Sequence, residues 1–65
     1  MIVTPDRKET TMRFAQQYRD DWKNVNKSNA AIINEIVSTL VKENCPREEA
    51  LDLADDTLRY MQRYF

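Results

Sequence analysis

The chain contains no glycine, and its two prolines, Pro5 and Pro46, each stand where a helix would begin. Glycine is the residue that enters positive φ without steric cost, and tight turns, hairpins and phosphate-cradling loops rely on it. Its absence predicts a chain built almost wholly of helix. Enzyme classes that depend on glycine-rich loops are removed at the same step.

Apolar spacing divides the chain into three amphipathic segments, taken at about 100° per residue. The first is expected to begin with Thr4 as N-cap and Pro5 at the first helical position, with Asp6 and Glu9 in the first turn where the dipole favours acids. Thr11, Phe14, Ala15, Tyr18, Trp22 and Val25 then fall in one stripe roughly 100° wide, and the helix ends near Asn24. Asn24 and Asn26 are the next best residues after glycine for a left-handed exit.

Ser28 is the expected N-cap of a second helix running to about Asn44. Ala30, Ile32, Ile33, Ile36, Val37, Leu40 and Val41 cover roughly half its circumference. That is more than one partner helix needs, so the second helix is expected to be central to a bundle of three.

Asn44-Cys45-Pro46 breaks the pattern, because the residue before proline is driven out of the α region. Cys45 is the expected cap of a third helix, with Pro46 at its first position and Glu48 completing a partial capping box. Ala50, Leu53, Ala54, Thr57, Leu58, Met61, Tyr64 and Phe65 share one side, which Leu51 and Tyr60 widen. Acids cluster early in this helix and Arg59 and Arg63 late, matching the dipole at both ends, and Asp55 and Arg59 form an i, i+4 pair. The expected fold is therefore a single all-α domain over residues 1–65, a three-helix bundle with helices near 5–24, 28–44 and 46–64.

A 65-residue domain buries only about 60% of the surface its unfolded chain exposes. Disulfides, a metal or oligomerisation usually supplement so small a core. One cysteine and no histidine leave no intrachain bridge and no ordinary zinc ligand set, so oligomerisation is the supplement still open. The apolar arcs on the second and third helices exceed what the thin first-helix stripe can cover. A symmetric homodimer is expected, with interface residues drawn from the edges of those arcs: Ile32, Ile36, Val37 and Val41 on the second helix, and Leu51, Leu58, Tyr60 and Tyr64 on the third.

Charge is unevenly spread. Residues 1–27 carry six bases and four acids, whereas residues 28–65 carry four bases and seven acids. Lys8, Arg19, Lys23 and Lys27 lie along one flank of the first helix, a possible phosphate contact line, although Glu9, Asp20 and Asp21 weaken the local field. The acidic start of the third helix argues against that helix entering a DNA groove.

Cys45 sits near a helix start, which lowers a thiol pKa, but Glu48 and Glu49 oppose a thiolate and no histidine serves as base. Glu48, Asp52 and Asp55 share a helical face without the alternating-acid calcium loop or a Glu-x-x-His motif, so a solvated acidic face is the better reading. No catalytic residue, cofactor or metal is expected. Met1 to Val3 is followed at once by Thr4, Pro5 and charge, and no apolar run is long enough for a membrane span, so a cytoplasmic, reducing location is expected. The favoured function is a non-catalytic protein–protein interaction or regulatory module acting through helix faces as a homodimer. The alternative is a small DNA-binding or nucleoprotein accessory factor using the basic flank of the first helix.

Overall fold

A computed structural model describes residues 6–65, which form three helices: α1 (Arg7–Lys23), α2 (Asn29–Lys42) and α3 (Arg47–Tyr64). The three-helix, all-α architecture expected from the sequence is the observed one, with each boundary within two residues of its expected place. Thr4 and Pro5 lie outside the described residues. Asp6, expected inside the first turn, is instead the N-cap of α1: its backbone is extended and its carboxylate accepts the N–H of Glu9 at 2.8 Å. Ser28 caps α2 as expected, its hydroxyl accepting the N–H of Ala31 at 3.1 Å.

Both inter-helix exits are Schellman turns, which close a helix by placing one residue in the left-handed region. At the end of α1, Asn26 N–H donates to Asp21 O at 2.8 Å and Val25 N–H to Trp22 O at 3.3 Å. The left-handed residue is Val25, at φ 56°, and not either asparagine. The left-handed site is fixed by where the helix stops, so a valine takes it with asparagines on both sides. At the end of α2 the same role falls to Asn44, at φ 68°, with Cys45 N–H donating to Leu40 O and Asn44 N–H to Val41 O, both at 3.0 Å.

Cys45 is therefore not the cap of α3. Pro46 occupies that position without any side-chain hydrogen bond, and Glu48 and Glu49 follow in the first turn. Cys45 belongs to the closing turn of α2, where its side chain is buried beside the core. The hydrophobic contact that accompanies a Schellman turn explains why an apolar, small side chain stands there.

The helices run up, down and up. Arg13 meets Glu43 and Lys27 meets Glu35 across the antiparallel α1 and α2. Arg7, at the start of α1, meets Glu49 near the start of α3 and Asp56 near its middle, and Arg19 lies over the Phe65 ring at its end, so α1 and α3 run in the same direction. The central element is α3, not α2. It packs extensively on both neighbours, whereas α1 and α2 approach each other little. Accordingly α3 gives the core its largest share, Ala50, Leu53, Ala54, Leu58 and Met61, against Phe14, Ala15 and Tyr18 from α1 and Ile32, Ile36 and Leu40 from α2. The buried Thr57 hydroxyl donates to Leu53 O at 2.7 Å, so it enters the core satisfied.

Candidate interaction surfaces

The eight residues expected at a dimer interface separate into three environments. Ile32, Ile36 and Leu58 are buried inside the single chain, where α3 covers α2 and is covered in turn. They are core residues and are not available to a second copy. Val37 and Tyr60 are half-buried against that core. Val41 and Leu51 remain 44% exposed and Tyr64 63% exposed.

These exposed groups lie on two surfaces. On α2, Ile33, Val37 and Val41 follow one another at i, i+4 and i+8, a ridge running from half-buried to exposed. Val37 and Val41 share a groove with Asn34, Ser38, Lys42 and Arg47, and Leu51 lies one turn beyond Arg47 on α3. Ile33 joins this ridge although helical spacing places it near the middle of the apolar arc and not at its edge.

The second surface is the seam between the parallel α1 and α3. A groove of about 530 Å³ is lined by Lys8, Thr11, Met12, Asp56, Arg59, Tyr60, Arg63 and Tyr64. Tyr60 and Tyr64 rings lie 4.7 Å apart and tilted, while Phe65 sets its ring edgewise to Tyr60 at 6.1 Å. Arg19 and Lys23 reach over the Phe65 ring at 5.5 and 5.9 Å, extending the basic edge beyond the groove. Aromatic rings so placed attract cations at their faces while offering apolar area.

Of the four basic residues expected to face nucleic acid, Lys8, Arg19 and Lys23 lie on this flank. Lys27 does not. It is half-buried at the α1–α2 connection, 2.8 Å from Glu35 and 3.8 Å from Asp21, and its ammonium sits over the Tyr18 ring. The hydrogen bond to Glu35 raises the Lys27 pKa, and burial, followed by the charge of Glu35, raises that of Tyr18. Arg59 and Arg63 take its place from α3. Their late position had a sufficient local explanation in the helix dipole, and only the parallel packing of α1 and α3 joins them to Lys8.

The cations differ in their pairing, and Lys42 and Arg47 on the α2 side also make no ion pair among the described residues. Arg7 is bound to Asp56 and approaches Glu49, Arg13 holds Glu43 at 3.0 Å, and Lys27 holds Glu35. Lys8, Arg19, Lys23 and Arg63 make no ion pair among the described residues, and Arg59 reaches Asp55 and Asp56 only at 3.9 and 3.8 Å. Asp56, the one acid lining the groove, is already matched by Arg7.

Cys45 is buried, and desolvation raises its pKa, with Glu49 and Glu43 adding to the shift, so the thiolate is disfavoured. Among the described residues no group of three or more His, Cys, Asp or Glu side chains is placed to hold a metal ion, and no helix is long and apolar enough to cross a membrane. No family model, curated protein or solved structure matches the chain.

Proposed function

We propose that this protein is a small non-catalytic interaction module that works as a homodimer through the α2 ridge and regulates a larger partner through its helix faces. One observation carries the proposal. After the bundle closes, Val41 and Leu51 remain 44% exposed, beside the half-buried Ile33 and Val37. A domain this small leaves a large fraction of its apolar surface in water, and a second copy is the nearest source of cover. An i, i+4, i+8 ridge packs symmetrically on its own copy at a crossing near −50°. Lys42 and Arg47 at its margin keep such a contact from being purely apolar.

Light scattering behind size exclusion should return twice the 7.8 kDa chain mass at about 100 µM. Val41→Glu, which places a charge on the ridge without touching the core, should return the monomer. A wild-type monomer at that concentration would discard the homodimer. Tight, salt-dependent binding to duplex DNA would replace the module reading with that of a nucleoprotein accessory factor.

A further inference from the structure

We propose that the groove between α1 and α3 is a docking site for an acidic amphipathic helix of a partner protein, a reading that deepens the interaction-module function and uses a surface separate from the α2 ridge. The floor is apolar and adaptable: Met12, Tyr60 and Tyr64 line it, and methionine refits its shape to different anchors. Lys8, Arg59 and Arg63 stand around that floor, and Arg19 and Lys23 continue the line toward Phe65. Apart from the loosely paired Arg59, these cations have no acid of their own chain within ion-pair distance among the described residues. A partner that brings apolar side chains flanked by carboxylates satisfies both parts of the site at once.

Length supports a helix as occupant. From Lys8 to Lys23 the basic edge of α1 runs roughly 22 Å, the rise of about four helical turns. Two parallel helices leave a trough between them, and a third helix laid there would complete a second bundle face on α3.

The same details disfavour a nucleic acid. Tyr60 is occupied by Tyr64 at 4.7 Å and by Phe65 at 6.1 Å, so the rings pack on one another and do not form a ladder for successive bases. Glu48, Asp52 and Asp55 are exposed earlier on the same helix, and a long polyanion following α3 would run into them. An acidic segment laid from Lys8 toward Lys23 leads away from them, toward Phe65.

The test uses fluorescence anisotropy at low salt with the full chain. The probe is a fluorescein-labelled peptide of about fifteen residues, with leucine at i, i+3, i+4 and i+7 of one face and glutamate elsewhere. Saturable binding below about 100 µM is expected. Lys8→Glu with Arg63→Glu should weaken it at least about tenfold, and Tyr64→Ala by about tenfold. Gln17→Glu, on the opposite side of α1 from Lys8, should leave it unchanged. All four side chains are exposed, and an unaltered thermal melt of each variant separates lost binding from lost fold. The proposal is overturned if the probe does not bind, if lysine in place of glutamate or alanine in place of leucine binds equally well, if Gln17→Glu weakens binding as much as the groove variants, or if an oligothymidine of equal length binds more tightly. Light scattering reports the dimer independently, so failure here leaves that reading standing.

Discussion

The backbone N–H of Cys45 donates to the carbonyl of Leu40 at 3.0 Å, and both side chains are buried at the same end of the core. Together with the Asn44 N–H to Val41 O bond it closes α2 and turns the chain toward α3, and the thiol of Cys45 is buried at that turn. Maleimide should therefore alkylate Cys45 in the folded protein at least about tenfold more slowly than in the denatured chain. Equal rates would show that the thiol is open to solvent.

Burial also gives this cysteine a pH signature. Its folded pKa is raised first by desolvation and then by Glu49 and Glu43. Folding thus favours the neutral thiol, so the stabilisation is full below the ordinary thiol pKa and is lost as pH rises through the ordinary value toward the folded one. Above about pH 9 the wild type should lose melting temperature faster than Cys45→Ala. Parallel curves for the two proteins would contradict this.

At the acid end the linked pair is Arg13 and Glu43, which ties α1 to the end of α2 at 3.0 Å. The hydrogen bond from Arg13 holds the Glu43 carboxyl below its ordinary pKa, against a smaller opposing effect of desolvation. The stabilisation is present above the ordinary carboxylate range and disappears as pH falls through the folded value. Both side chains are about half exposed, so Glu43→Gln should cost only a few tenths of a kcal/mol at pH 7 and nothing at pH 2. A constant difference across that range, followed by thermal melts, would rule out the linkage.

Val25 offers a gain in stability. It holds φ at 56° with its side chain 84% exposed, so it carries a left-handed penalty without repayment from packing. Val25→Gly should stabilise the fold by about 1 kcal/mol, the steric relief of roughly 1–2 kcal/mol less the added chain entropy of glycine. That corresponds to a rise of several degrees, about 4–8 °C, in melting temperature for a domain of this size. A lower melting temperature for the glycine variant would refute the strain.

The central position of α3 sets the largest expected loss. Leu53 is fully buried where α3 is packed on both sides, and Leu53→Ala should cost about 2–5 kcal/mol. Against a total of about 5 kcal/mol, near the lower end for small domains, much of the chain should be unfolded at 25 °C by circular dichroism. A cost below about 1 kcal/mol would mean that this part of the core is loosely packed.

Much of this molecule was decided locally and could be read from the sequence. Apolar residues at helical spacing fixed three helices and most of the core, Phe14, Ala15, Ala50, Leu53, Ala54 and Met61 among them, because side chains three and four apart share a face whatever the helix packs on. Ser28 was legible as a cap because its hydroxyl needs only the N–H three residues ahead. The tertiary structure decided what depends on neighbours: that α3 and not α2 lies between two partners, which buried Ile32, Ile36 and Leu58 and left the ridge through Val41. It also brought Arg59 and Arg63 alongside Lys8, Arg19 and Lys23 while withdrawing Lys27 into contact with Glu35. A charge pattern along one helix cannot report which other helix will lie beside it. The missing glycine shows the same division, for it determined that the exits must be made by other residues, but where each helix stopped against the core determined that one of them would be Val25.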